Sequence, residues 1–206
     1  MYNVGICFEN GTGTSVDLKA SFEWFLRASE AGFPIAQFHV GVCFKYGRGT
    51  TKDDRVAFKW YLRAAKAGHL DAQYNVGCMC INGEGVDADP RAAFQWLSRA
   101  AEAGYVGAMV SLGHCFDMGT GVSADSYSAV KWYRRALAAD AGNSMAQNNL
   151  GICYQGGVGV AQDTDEALRL YNLAAAGGSA PAAKNARDLR AALRGHAHAP
   201  EGGSLD

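Results

Sequence analysis

The residue types able to do covalent or acid–base chemistry are few in this chain, and they do not converge. Ser128-Ala129-Val130-Lys131 has the Ser-x-x-Lys spacing in which a nucleophilic serine and a lysine share one helical face in acyl-transfer enzymes. The same two positions hold Val56 and Lys59, then Ala92 and Gln95, elsewhere in the chain, and the companion motifs of that chemistry are absent. The histidines are dispersed. His39 and His114 fall at different helical positions, His69 in a turn, and His196 and His198 near the C-terminus. No Cys/His or His/carboxylate set at ligand spacing emerges, so no metal, cofactor or catalytic residue is assigned. The Gly-x-Gly turns follow helices rather than strands and lack a third glycine, which excludes a dinucleotide fingerprint.

What does organise the chain is repetition. A leading glycine recurs as Gly5, Gly41, Gly77, Gly113 and Gly151, at intervals of 36, 36, 36 and 38 residues. Each is followed by a Gly-x-Gly pair such as Gly47 and Gly49, and by an aspartate: Asp17, Asp53, Asp89, Asp125 and Asp163. Trp24, Trp60, Trp96 and Trp132 keep the same phase, with Leu170 fifth. Periods of this length mark stacked supersecondary units.

Within one unit the apolar residues Ala36, Val40 and Phe44 recur every four positions, predicting a helix, helix A, that ends at the Gly47-Arg48-Gly49 turn. Asp53 is placed to cap a second helix, helix B, and Pro90 after Asp89 suits a first helical position. Helix B carries Ala57, Trp60, Tyr61, Ala64 and Ala65 at helical spacing and stops at Gly68. Small Ala57 and Ala64 admit a facing helix, and Trp60 is expected to fill the space between. One such hairpin cannot bury its own apolar face, so neighbours must cover it.

The pattern Ala-Gln-x-Asn-x-Gly-x-x-x-x-x-Gly-x-Gly-Val, then Asp, Ala-x-x-Trp and Ala-Ala-x-x-Gly, read from Ala72 to Gly104, resembles the Sel-one-like repeat, a relative of the tetratricopeptide repeat. The resemblance covers residues 1–182. It implies an all-α, right-handed superhelical α-solenoid of helix-turn-helix repeats: 1–36, 37–72, 73–108, 109–146 and 147–182, then a capping helix over 183–194 with Leu189 and Leu193 inward, and a disordered tail over 195–206. It also implies a non-enzymatic adaptor or scaffold in protein complexes. Some secreted members are linked to penicillin-type ligands, which makes Ser128 and Lys131 of a penicillin-recognising protein the competing reading. Cysteine-rich secreted members pair a helix-A cysteine with one in helix B. No helix B here contains one, which favours a reducing compartment such as the cytoplasm.

The remaining features fit a protein-binding repeat. Of 206 residues, 49% are hydrophobic and 19% charged, and no apolar run reaches the length of a membrane span. A net charge of −1 argues against nucleic acid as partner. Cys7, Cys43, Cys115 and Cys153 share one helix-A column with Met79 and read as small buried hydrophobes; Cys78 and Cys80 diverge on their helix. Met1 falls inside the first helix A, which suggests a fragment or a missed upstream start whose activity or targeting signal lies elsewhere. The turn within Leu137–Met145 is two residues longer than its equivalents.

Two surfaces stand out. Repeat two is the most basic, with Arg55, Lys59, Arg63 and Lys66 on one ridge of helix B. Arg27, Arg63, Arg99 and Arg135 recur three residues after each tryptophan and read as structural. Away from the Ala36-Val40-Phe44 face, helix A carries one column of Tyr2, Phe38, Tyr74, Val110 and Asn148, a second of Ile6, Val42, Cys78, His114 and Ile152, and a variable third of Glu9, Lys45, Ile81, Asp117 and Gln155. These columns either line a concave groove for a peptide, helix or folded partner or pack between repeats. The groove would be contacted through Phe38, Val42, Lys45, Tyr74, Cys78, Ile81, Val110, His114 and Asp117.

Overall fold

The structure, a computed structural model, describes residues 1–197, with side chains to Arg194. Among these residues there are eleven helices and no strand. The helices are α1 (Tyr2–Asn10), α2 (Leu18–Glu30), α3 (Pro34–Tyr46), α4 (Asp54–Lys66), α5 (Leu70–Asn82), α6 (Pro90–Glu102), α7 (Val106–Met118), α8 (Ser126–Ala139), α9 (Ser144–Gly156), α10 (Thr164–Ala176) and α11 (Ala180–Ala197). They fall into two compact units, one of Met1–Leu112 with Thr120–Ser123, the other of Gly113–Gly119 with the chain from Ala124 on. The fold is all-α and built from the repeated hairpin.

The aspartate column does what its spacing predicts. The side chains of Asp17, Asp53, Asp89, Asp125 and Asp163 each accept a hydrogen bond from a backbone N–H in the first turn of the following helix B. Each cap satisfies donors that would otherwise be orphaned. Helix A ends on Gly47, Gly83 and Gly157 with left-handed φ near 70°. From the second repeat on, the second glycine of the turn has a further reason: a Cβ on Gly85 would lie 2.1 Å from the Asp54 carbonyl oxygen, so the turn sits directly on the start of the preceding helix B, whereas Gly13 of the first turn meets nothing.

The leading glycine column is explained by an aromatic or leucine one residue past each tryptophan position. A Cβ on Gly41 would come within 2.6 Å of the Tyr61 ring, and Gly5 meets Phe25, Gly77 Leu97, Gly113 Tyr133 and Gly151 Tyr171 in the same way. This column, not the tryptophans, fills each hairpin: Tyr61 is 2% exposed, whereas Trp60 is only half-buried. The expectation that Trp60 fills the interhelical space is therefore corrected. The tryptophan lies one residue, about 100°, around the helix, where Trp60 packs on the cluster of Phe25, Val40 and Cys43 and keeps part of its ring exposed. There Arg27, Arg63, Arg99 and Arg135 lay their guanidinium groups over Trp24, Trp60, Trp96 and Trp132, 4.7–5.0 Å from the ring centres.

α11 takes the place of a further helix A, and no helix B follows it among the described residues. Ala182, Ala186 and Leu189 are buried with α10 residues, and Arg187, exposed, stands where the other repeats have glycine. Leu193, expected inward, is 38% exposed, because it lies a turn beyond the stretch that α10 covers. The helix runs through Gly195 to Ala197; residues 198–206, including His198 and most of the expected tail, lie outside the described residues. In the fourth repeat, the two extra residues are divided between helix and turn: α8 has 14 residues where other B helices have 13, and Gln147 donates to the Ala141 carbonyl at 2.7 Å to close the longer turn.

Candidate protein-binding face

The helix-A columns combine packing with partial exposure. In the first unit Phe38 stacks on His69 at 4.6 Å with the planes 15° apart, and also meets Tyr61. Tyr74 packs against Tyr105 and hydrogen-bonds Ser111. Phe38, Val42 and Ile81 stay partly exposed while resting on the core cluster around Tyr61 and Val76. Val110 differs. It is only 5% exposed, so a valine too short to reach the surface leaves that position in the core. It is withdrawn as a contact residue.

A polar column that sequence reasoning passed over ties successive A helices together. Tyr2 Oη lies 3.0 Å from His39 Nε2, Tyr74 bonds Ser111, and in the second unit Asn185 Nδ2 donates to Asn148 Oδ1 at 3.0 Å. Each link joins one residue to another 37 positions on. The signal was present in the sequence as Asn3, His39, Asn75, Ser111, Asn149 and Asn185, polar residues each standing before an apolar one, which is buried in every case but Val4. It is inconspicuous because the bonded pair differs from link to link: Tyr2 with His39, Tyr74 with Ser111, Asn148 with Asn185.

The third column is electrostatically matched to the next turn. Glu9 pairs with Arg48 at 3.0 Å, and Lys45 is bound by Glu84 and by Asp54 at 3.2 Å. Burial alone would push the Lys45 ammonium down, but its hydrogen bonds to Glu84 and Asp54 outweigh that and hold it above the ordinary lysine value. The hydrogen bond from Lys45 holds Glu84 below the usual carboxylate range. Lys45 is thus committed within the fold. His39 is pulled below the ordinary histidine value chiefly by burial, as is His69, whose Nδ1 accepts from the Ala72 N–H at the start of α5.

Between these side chains lie two clefts of the first unit. One, about 500 Å³, is lined by Phe38, Val42, His39, Leu18, Glu9 and Arg48. A smaller one, about 130 Å³, is bordered by Lys45, Tyr46, Asn75, Cys78, Asn82 and Glu84, among others. Cys78 is half-buried and its thiol is pushed up by burial. In the second unit His114 is exposed and Asp117 half-buried near Tyr133.

Ser128 and Lys131 border one small cleft with Trp132 and Arg135, but their polar groups have other partners. Ser128 Oγ donates to Asp125 Oδ2 at 2.6 Å as part of the α8 cap, and Lys131 Nζ stands over the Tyr127 ring at 5.6 Å. All six cysteines are free; Cys43, Cys80, Cys115 and Cys153 are buried, and burial pushes the Cys43 thiol up to about 12. Among the described residues no cluster of His, Cys, Asp or Glu could hold a metal ion. No described helix is long and apolar enough to cross a membrane.

The Sel1 repeat model matches residues 1–33, 34–69, 70–105, 106–143 and 144–179. The chain belongs to the Sel1 repeat family. Its fold is similar to c5321, a protective antigen of uropathogenic Escherichia coli strains displaying an SLR fold, at TM-score 0.81 and 31% identity over 88% of this chain; that covers 38% of the antigen chain. A Sel1 repeat protein from Oxalobacter formigenes matches at TM-score 0.81 and 34% identity, over 89% of this chain and 74% of that one. Helicobacter pylori cysteine rich protein B shares the fold more loosely, at TM-score 0.50 and 23% identity over 65% of this chain and 94% of that one. No curated protein matches the chain. Sel1-repeat proteins are generally non-enzymatic protein-interaction scaffolds.

Proposed function

We propose that the chain is a scaffold that holds a peptide or helix of a protein partner on its helix-A face, centred on the cleft beside α3 in the first unit. The observation that carries this reading is the 500 Å³ cleft with an apolar floor of Phe38 and Val42 and a rim of His39, Glu9 and Arg48. An apolar floor supplies affinity and a polar rim orients the occupant. Tyr74, Cys78 and Ile81 extend the same face on α5, and Lys45, bound to Glu84 and Asp54, serves as its rigid edge. His114 and Asp117 are offered as contact residues of the second unit in their own right.

The test is affinity purification of the tagged chain from its own cells, with mass spectrometry, beside a Val42→Glu variant and an empty-tag control. A partner recovered with the parent chain and lost with Val42→Glu, at unchanged helical circular dichroism, supports the reading. Equal recovery by both chains sinks it. Val42 rests on the core cluster as Phe38 does but makes no ring stack, so it is the smaller packing contact of the two and the circular-dichroism control separates loss of binding from loss of fold.

A further inference from the structure

The outer side of α4 carries charge that the fold does not use. Arg55, Lys59, Arg63 and Lys66 are all exposed, and they fall along one ridge at helical spacing. The two acids that precede them are already engaged. Asp53 caps α4 by accepting from the Arg55 and Val56 N–H groups, and Asp54 is held by Lys45 and Lys52 at 3.2 and 3.4 Å. The Arg63 guanidinium lies over the Trp60 ring, 4.7 Å from its centre, which restrains it while the side chain stays exposed. We propose that this ridge is a second docking site, separate from the helix-A cleft, for an acidic segment of a protein partner.

The chemistry of the occupant follows from the shape of the field. The ridge is one helix wide, about 10 Å, and about 16 Å long at 1.5 Å per residue, the length of roughly five residues of extended peptide. The exposed charges on the neighbouring helices are mixed: Lys19, Glu23, Arg27 and Glu30 on α2, Arg91, Arg99 and Glu102 on α6, whereas the α4 ridge carries one sign only. A duplex or a lipid surface, broader than one helix, would meet Glu23 and Glu30 as well as the cations, and the net charge of −1 gives no long-range attraction to a polyanion. A narrow run of aspartate or glutamate side chains is matched to the single-sign ridge. Its carboxylates can take bidentate hydrogen bonds from the pre-oriented Arg63 and simple ion pairs from Lys59 and Lys66.

Fluorescence anisotropy of labelled octaglutamate with the full chain tests the site. Saturable, salt-sensitive binding is expected. It should weaken at least tenfold in Arg55→Gln/Lys59→Gln/Lys66→Gln and a few-fold in Arg63→Lys, which keeps the charge but loses the planar stack. Removing the same sign of charge elsewhere, in Lys184→Gln/Arg187→Gln on α11, should leave binding unchanged. The proposal is overturned by absent binding, by equal weakening in the α11 variant, or by tighter ridge-dependent binding of a single-stranded oligonucleotide or anionic vesicles. Because every substituted side chain is exposed, melting temperatures should match the parent chain and keep loss of binding separate from loss of fold.

Discussion

Tyr2 Oη meets His39 Nε2 at 3.0 Å, with the two rings edge to face at 5.3 Å between centres. The contact joins the first two A helices across the repeat boundary and sets the imidazole in a three-ring cluster with Tyr2 and Phe25. A hydrogen bond of this kind contributes about 0.5–1.5 kcal/mol net. Tyr2→Phe keeps the ring and removes only the hydroxyl, so it should destabilise by about that amount. In a double-mutant cycle with His39→Phe, the hydroxyl's effect should vanish once the imidazole is gone. Additive effects in urea denaturation would show that the two groups do not couple.

The glycine opposite each helix-B aromatic makes a sharper prediction. Alanine ordinarily favours a helix over glycine by about 1 kcal/mol. At Gly41 the sign should reverse, because the new Cβ would sit 2.6 Å from the Tyr61 ring, a flat group that cannot fold away. Overpacking of that kind costs about 1–3 kcal/mol. Gly41→Ala should therefore lower the urea midpoint, and a raised midpoint would refute the close-approach explanation.

How far the sequence could be read is visible at these same residues. Helical caps were legible because Asp53 acts within four residues of itself. The hairpin and its period were legible because five copies repeat the same local chemistry. The column that fills each hairpin was misassigned to Trp60 rather than Tyr61, since neighbours on a helix differ by about 100° and periodicity alone does not say which one faces its partner. The helix-A face was ambiguous for another reason. Phe38 and Tyr74 both pack and stay partly exposed, so an apolar pattern there fits a groove and an inter-repeat seam equally. The hydrogen bonds 37 positions apart depend on how one repeat is rotated against the next, which no single repeat encodes.

Truncations should separate the two aromatic columns. Tyr61→Ala removes a nearly fully buried side chain from between α3 and α4 and should cost about 3–5 kcal/mol. Trp60→Ala removes a half-buried ring whose outer face is already covered by Arg63, and should cost less. Equilibrium urea unfolding of both variants, read as shifts in midpoint at constant m-value, gives the order. A larger loss at Trp60 would restore the tryptophan to the centre of the hairpin.

Acid should loosen the first three repeats before carboxylate protonation sets in. Burial holds His39 and His69 below the ordinary histidine value of 6.5, so between the two values the unfolded chain binds more protons than the folded one. The stability they allow is complete above about pH 6.5 and falls as the pH drops through their lowered values. His69 has an added cost, because protonation of Nδ1 removes the acceptor for the Ala72 N–H and leaves Asp71, 3.8 Å away, as partial compensation. Glu9 opposes the shift at His39, whereas Arg48 reinforces it. Thermal melts at pH 7 and pH 5 should show a lower melting temperature at pH 5. His39→Gln/His69→Asn should narrow that gap, because neither replacement titrates and asparagine can still cap α5. If the gap is unchanged in the double variant, the two histidines are not its source and the prediction fails; the paired carboxylates Asp54 and Glu84, held below their ordinary values, lose their contribution only at more acidic pH.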